Sequence, residues 1–138
     1  MTLQHAQRFL ADDSPFMMAL LARMLAKDER ISIAGSATDG WKALCFATSL
    51  RPDLVLTDLH MPGLDGAEVA RHLKEQPNCL VVFIVTSEDS PRSRARCLAA
   101  GAVAFLVKGS DLPAQLRAAI QSVFPSDRTA RAARFSRM

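Results

Sequence analysis

The chain has 138 residues, of which 49% are hydrophobic and 22% are charged. This length fits one ordinary domain and excludes two domains joined by a linker, and the composition excludes wholesale disorder. The longest uncharged apolar stretch is far shorter than the roughly 18 residues of a membrane span, and the first residues lack the pattern of a secretory signal. We therefore expect a single cytoplasmic domain with no membrane partner.

The net charge of +3 is unevenly distributed along the chain. Residues 126–138 contain four arginines and one aspartate, whereas residues 1–125 are formally neutral. The isoelectric point of about 9.1 therefore reflects a basic tail. It argues only weakly for a nucleic-acid-binding fold.

The cysteines are odd in number and scattered, without the spacing of a metal site or a disulfide framework. They are Cys45, Cys79 and Cys97. We expect all three to be small buried hydrophobic residues in a reducing cytoplasm.

Short apolar runs alternate with segments of helical periodicity from the start of the chain. Gln7–Ala11 is predicted as the first strand, and Ser14-Pro15 then places a helix N-cap before a first-turn proline. This helix is predicted to reach Lys27, and a second strand follows at Ile31–Ala37. A second helix opens at Asp39-Gly40. Its predicted packing face consists of Trp41, Leu44, Cys45 and Thr48.

The alternation continues through the second half of the chain. Three further strands are predicted at Leu54–Thr57, Leu80–Val85 and Val103–Val107. The second of these is an unbroken apolar run, which is typical of a central parallel strand. A turn-rich loop at residues 60–66 leads into the third helix, and Ser90-Pro91 opens the fourth. Asp111 is predicted to cap a fifth helix that ends before Pro125.

Five strands alternating with five helices predict an α/β fold, with a doubly wound parallel sheet covered by helices on both faces. In such sheets the working site lies beyond the carboxyl ends of the strands. The polar residues predicted there are Asp12, Asp13, Asp58, Thr86, Ser87 and Lys108. A single acid or lysine after a strand is usually a helix cap or a solvated residue. Their coincidence at the ends of four strands indicates one common site.

The predicted site has the residue types that phosphoryl transfer requires. Three clustered carboxylates repel one another, and Mg²⁺ or Mn²⁺, which bind oxygen ligands, relieve that repulsion. One carboxylate can then attack phosphorus and form an aspartyl phosphate. Asp58 is the best candidate because it ends a central strand. Lys108 and the Thr86 hydroxyl are predicted to meet the phosphoryl oxygens, so catalysis rests on positioning and electrostatics.

Over roughly residues 7–124, the chain is similar to the response-regulator receiver domains of bacterial two-component signalling. The resemblance is carried by Asp12-Asp13, the block from Asp58 to Gly66, Thr86, and the segment from Ala104 to Lys108. The Lys-Gly-Ser sequence after the fifth strand resembles receivers of helix-turn-helix transcriptional regulators. The family implies a flavodoxin-like (βα)5 fold with strand order 2-1-3-4-5.

The resemblance also implies roles for individual residues. Asp58 matches the acceptor of a phosphoryl group from a sensor histidine kinase or a phosphotransfer protein. Asp13, Asp58 and the main-chain carbonyl of His60 match the direct metal ligands, with Asp12 acting largely through water. His60 and Glu88 match positions that face an attacking water, and we expect them to tune the lifetime of the phosphoryl group.

The output surface is also implied by the resemblance. Thr86 and Phe105 match a switch pair that changes the surface formed by the fourth helix, fifth strand and fifth helix. We expect a homodimer or a partner to dock there, on a face that includes Arg92 and Arg96. DNA is expected to be contacted only through an output domain that lies outside this chain.

Residues 1–124 are expected to form the receiver, and residues 125–138 a basic tail or linker. One alternative is a Mg²⁺-dependent enzyme of the aspartyl-phosphate phosphatase type. Such enzymes usually place a second acid two residues after the nucleophile, where this chain has His60. They also need a substrate-covering cap, for which we expect this short chain to have no room. Further alternatives are a stand-alone receiver adaptor and a receiver that no longer accepts phosphate. We expect a switch that promotes only its own phosphorylation and dephosphorylation, not an enzyme.

Overall fold

The computed structural model describes residues 6–28, 31–77 and 80–125. The strands are β1 (Ala6–Ala11), β2 (Ile31–Ala37), β3 (Leu54–Thr57), β4 (Val81–Thr86) and β5 (Ala104–Val107). The helices are α1 (Pro15–Leu25), α2 (Gly40–Leu50), α3 (Gly66–Lys74), α4 (Pro91–Ala99) and α5 (Leu112–Val123). The predicted alternation of strands and helices is therefore confirmed within these residues.

The strands form one parallel sheet in the order β2-β1-β3-β4-β5, which confirms the predicted fold and strand order. Thr57 at the end of β3 pairs with Ala11 of β1 on one side and with Ile84 of β4 on the other. The Asp58 N–H also donates to the carbonyl of Ala11 at 2.8 Å. This register places the residues that follow β1 and β3 side by side at one edge of the sheet.

Side chains alternate between the two faces of the sheet and form two hydrophobic clusters. In β1, Phe9 joins the cluster beneath α2, α3 and α4, whereas Leu10 joins the cluster beneath α1 and α5. In β3, Val55 joins the first of these clusters and Leu56 joins the second. Burial on both faces explains why β3 is almost wholly apolar.

Side-chain caps fix the start of four helices, so those helices begin where the sequence predicts. Ser14 accepts from Met17 N–H, and Ser90 caps α4 in the same way. Asp111 precedes α5 as predicted, but its carboxylate makes no capping bond and instead accepts from the Gln115 side chain. The expected capping interaction is wrong because the Asp111 backbone is not in the extended conformation that an N-cap adopts.

The predicted packing face of α2 is wrong for three of its four residues, although Leu44 does pack against the core. The buried residues of this helix are Gly40, Ala43 and Ala47, whereas Trp41, Cys45 and Thr48 are exposed. The cause is close approach: a Cβ on Gly40 would lie 1.9 Å from the carbonyl oxygen of Leu64. Small residues therefore face the protein, and the larger apolar residues are displaced outward.

The cysteines differ from one another in environment. Cys97 is fully buried in α4, and burial raises the pKa of its thiol. Cys45 is exposed on α2, so its predicted burial is wrong. Cys79 and the basic tail lie outside the described residues. Among the helices in the described ranges, none combines the length and apolar character needed to cross a membrane.

Candidate functional site

Three carboxylates meet at the carboxyl edge of the sheet. Each of Asp12, Asp13 and Asp58 offers one oxygen, and these oxygens all lie within 4.8 Å of one another. Asp12 and Asp58 are buried, with 1% and 8% of their surfaces exposed, whereas Asp13 faces solvent. Adjacent parallel strands produce this cluster, since β1 and β3 end at the same level.

Lys108 lies between the two buried carboxylates. Its Nζ is 3.1 Å from Oδ2 of Asp12 and 3.3 Å from Oδ2 of Asp58. The lysine follows β5, two strands away from β3, and its side chain therefore reaches past the end of β4. A single ammonium group offsets part of the repulsion between two carboxylates that water screens poorly.

The acidic cluster perturbs the titration of Asp58. Burial raises the pKa of its carboxyl above the ordinary value of 3.8, and the neighbouring charge of Asp12 raises it further. The ammonium of Lys108 and a backbone hydrogen bond from His60 oppose this rise in pKa. The donor set consists of hard oxygen ligands with excess negative charge, which fits a divalent cation such as Mg²⁺.

The hydroxyl predicted for the site lies at the end of β4. Thr86 is completely buried, and its Oγ1 accepts from the Glu88 N–H at 3.2 Å. The Lys108 N–H donates to the Thr86 carbonyl at 2.8 Å, so the backbones of these two residues are directly linked. The sheet thus holds Thr86 and Lys108 at the same edge as Asp58.

A hydrogen bond between two side chains spans the rim of the site. His60 Nε2 lies 2.7 Å from Glu88 Oε1, and the two side chains are 63% and 39% exposed. The pair joins the loops that follow β3 and β4. Sequence reasoning identified both residues but did not pair them with each other. The sequence does contain an indication of this contact, because His60 lies two residues after Asp58 and Glu88 lies two residues after Thr86.

The loop after Asp58 is built on close backbone contacts. A Cβ on Gly66 would lie 2.3 Å from the carbonyl oxygen of Asp58, so only glycine fits there. Asp65 and Glu68 form a reciprocal capping box that starts α3. These contacts tie the beginning of α3 to the acidic cluster.

The arginines of α4 engage groups within the chain. Arg96 donates to Asp65 at 2.7 Å, which links α4 to the N-cap of α3. The guanidinium of Arg94 lies 4.9 Å from the ring centroid of Phe105, which is only 6% exposed. Sequence reasoning missed both contacts, because residues far apart in sequence carry no local pattern that pairs them. Arg96 is therefore not a free docking group in this structure.

Comparison with known proteins agrees with this geometry. Residues 9–121 match the family model of the response regulator receiver domain. The response regulator GacA of Pseudomonas aeruginosa is 36% identical over 120 residues, which cover 86% of this chain and 55% of GacA. The chain thus spans about half the length of that relative.

Solved receiver structures are also similar. The signal receiver domain of the response regulator NarL from Mycobacterium tuberculosis superposes with a TM-score of 0.81 at 28% identity, covering 87% of this chain and 96% of that one. A chain of the CheX-CheY-BeF3-Mg complex from Borrelia burgdorferi gives 0.79 at 26% identity, with coverage of 86% and 89%. The match to the family model extends over most of this chain. The chain therefore belongs to the response regulator receiver domain family.

Proposed function

We propose that Asp58 accepts a phosphoryl group from a sensor histidine kinase or a phosphotransfer protein, and that this modification switches the domain between signalling states. The observation that carries the proposal is the convergence of Asp12, Asp13, Asp58 and Lys108 at one edge of the sheet. Membership of the receiver family supports the same assignment. Because the phosphoryl group stays on the chain's own carboxylate, we propose a cytoplasmic switch and not an enzyme that turns over a substrate.

The residues of the site divide the chemistry between them. An Asp58 oxygen attacks phosphorus, a P–O bond forms, and the bond from phosphorus to the donor's imidazole nitrogen breaks. Asp12, Asp13 and Asp58, with the His60 carbonyl, would hold Mg²⁺ or Mn²⁺, which supplies positive charge to the carboxylates and the phosphoryl oxygens. Lys108 leaves its pairing with the Asp58 oxygen and binds a phosphoryl oxygen.

The test of this function uses a small phosphodonor. The wild-type chain is incubated with acetyl phosphate, with Mg²⁺ in one sample and with a chelator in the other, and its intact mass is measured. One added phosphoryl group per chain in the Mg²⁺ sample alone is the expected result. No incorporation under either condition, in a chain that is folded by circular dichroism, would contradict the proposal.

Asp13→Ala is expected to weaken divalent-metal binding by about tenfold or more, because it removes a hard ligand and one negative charge. The measurement is a Mg²⁺ titration by calorimetry. Glu75→Gln is the matched control, since that exposed carboxylate lies at the end of α3, away from the acidic cluster. Equal affinities of Asp13→Ala and the wild type would show that the metal is held elsewhere.

Breaking the His60–Glu88 pair is expected to shorten the lifetime of the phosphorylated state. The pair joins the two loops that flank Asp58, and we infer that it limits the approach of water. Glu88→Ala should accelerate hydrolysis by about fivefold, the scale of coupling between contacting residues. Decay is followed after the donor is removed, with Glu75→Ala as control because that residue pairs with His72 instead. An unchanged decay rate would refute this role.

The proposed output surface is α4, β5 and α5, with Thr86 and Phe105 as the switch pair. A phosphoryl group adds about 1.5 to 2 negative charges and strong acceptors, which should draw the Thr86 hydroxyl towards it. We expect the space that Thr86 vacates to accept the Phe105 ring, which would alter its packing beneath Arg94. Beryllofluoride with Mg²⁺ is therefore expected to change amide exchange along α4 and β5. Equal changes in Thr86→Ala would contradict this mechanism.

We propose residues 1–124 as the receiver and residues 125–138 as a basic tail or linker. The chain spans only 55% of the length of GacA, so the output that the receiver controls is a proposal of its own. The likeness to GacA and to the NarL receiver supports transcription regulation as that output. DNA would then be contacted by an output domain, and homodimerisation through α4, β5 and α5 is part of the same proposal.

A further inference from the structure

Trp41 is the chain's only tryptophan, and the chain has no tyrosine. The side chain stands in the first turn of α2 and is 62% exposed, although tryptophan usually buries most of its surface. Its indole does not join either hydrophobic cluster of the described core. The indole contacts the loop that follows Asp58.

That contact is with Gly63. A Cβ built on Gly63 would lie 2.6 Å from Cδ1 and 3.2 Å from Nε1 of Trp41, so the edge of the indole packs directly against the glycine backbone. Gly63 also has a φ of +81°, which other residues rarely adopt. A side chain at position 63 would therefore both strain the backbone and displace the indole.

Two backbone contacts next to Trp41 hold the same loop. The Gly40 N–H donates to the Pro62 carbonyl at 2.9 Å. A Cβ on Gly40 would overlap the Leu64 carbonyl, at 1.9 Å from its oxygen. The first turn of α2 therefore contacts residues 62–64 in three ways: the Gly40 hydrogen bond, the close approach of Gly40 to Leu64, and the packing of the indole on Gly63.

Residues 62–64 form the middle of the loop between Asp58 and Gly66. Each end of this loop is fixed by its own contacts, since Asp58 bonds to β1 and Gly66 donates to the Leu59 carbonyl. Glycine at position 63 gives the middle of the loop more conformational freedom than other residues would. A contact at this position therefore restricts the conformations open to the segment that carries His60.

We propose that Trp41 is a positioning residue of the acceptor site: its indole holds the loop 59–66 in one conformation and thereby raises the affinity of the site for a divalent cation. The proposal rests on the proposed function, because the metal ligands that it positions are those assigned above. Trp41 touches neither the metal nor the phosphoryl group and acts only through the loop.

The first test is a Mn²⁺ titration of the full chain, followed by electron paramagnetic resonance. Trp41→Leu is expected to bind Mn²⁺ about fivefold more weakly than the wild type, less than the roughly 10- to 100-fold cost of losing a partner bonded directly to a metal ligand, because Trp41 acts only through the loop. Trp41→Phe, which keeps a ring over Gly63, should recover most of the affinity. Phe46→Leu is the matched control, because Phe46 is a half-exposed aromatic residue on the same helix.

Two further measurements separate positioning from general stability. In the metal-free protein, Trp41→Leu should speed amide exchange at Gly40 and Gly66 while the melting temperature stays close to that of the wild type. Gly63→Ala should weaken Mn²⁺ binding more in the wild type than in Trp41→Leu, since the backbone strain is common to both proteins whereas only the wild type has an indole to displace. If Trp41→Leu fails to fold, the Mn²⁺ affinities of Trp41→Phe and Gly63→Ala, each compared with that of the wild type, decide the question.

The outcomes distinguish this inference from the proposed function. A wild-type chain that binds Mn²⁺ and a Trp41→Leu variant with equal affinity and unchanged exchange would overturn the role of Trp41 alone. A folded wild-type chain that binds no Mn²⁺ would overturn both proposals. Weaker binding in Phe46→Leu to the same extent as in Trp41→Leu would also contradict the inference, since the effect would then belong to α2 in general.

Discussion

Asp58→Asn is expected to lose phosphoryl incorporation completely when the chain is incubated with acetyl phosphate and Mg²⁺. The amide is nearly the same shape as the carboxylate, but it lacks the anionic oxygen that attacks phosphorus. Intact-mass measurement of both proteins gives the answer directly. Asp89→Asn is the control, because Asp89 is an exposed acid in the loop before α4. Incorporation into Asp58→Asn at the wild-type level would place the acceptor elsewhere.

The same substitution is expected to stabilise the metal-free fold near neutral pH. The pKa of Asp58 is raised in the folded state, so the folded chain holds its proton more tightly than the unfolded chain does. The contribution of this group to stability is therefore present below the ordinary value of 3.8 and declines as pH rises through the folded pKa. Asp58→Asn should melt at a higher temperature than the wild type at pH 7, and the difference should shrink as the pH is lowered towards 4. A lower melting temperature at pH 7 would show that the acidic cluster is not under repulsion.

Lys108→Ala is expected to slow phosphoryl transfer to Asp58 by about 100-fold, the cost of removing one preorganised donor from a developing charge. The ammonium group already lies 3.1 and 3.3 Å from the two buried carboxylates, so it needs little rearrangement to reach a phosphoryl oxygen. The measurement is the initial rate of incorporation from acetyl phosphate at saturating Mg²⁺.

Two control variants make this rate interpretable. Lys42→Ala removes an exposed lysine on α2 and should leave the rate unchanged. Lys108→Arg keeps the charge but presents a planar, bulkier group, and it should recover only part of the rate. A wild-type rate in Lys108→Ala would contradict the assigned role of the lysine.

The sheet and the acidic cluster could be predicted because they depend on local patterns with simple geometric consequences. Apolar runs such as Leu54–Thr57 mark strands that are buried on both faces, and parallel strands bring the residues after their carboxyl ends to one edge. The approach of Lys108 to Asp58 follows from this topology, although 50 residues separate them. Helix starts at Ser14 and Ser90 were likewise predictable, since a cap acts within one turn.

Contacts that depend on how one element meets another could not be predicted in this way. The pattern of α2 favoured a face containing Trp41, because periodicity records hydrophobicity and not the distance at which a helix packs. The close contact between Gly40 and the Leu64 backbone decides that orientation instead. The bond from Arg96 to Asp65 joins two helices and has no signal in either segment alone.

The most direct test of the central claim locates the phosphoryl group chemically. The wild-type chain is phosphorylated with acetyl phosphate and Mg²⁺, reduced with borohydride and digested, and its peptides are sequenced by mass spectrometry. Borohydride reduces an aspartyl phosphate to the alcohol homoserine, so the modified position is identified without a substitution. We predict homoserine at position 58 and unmodified Asp12 and Asp13. Homoserine at either of those positions, with Asp58 intact, would contradict the account.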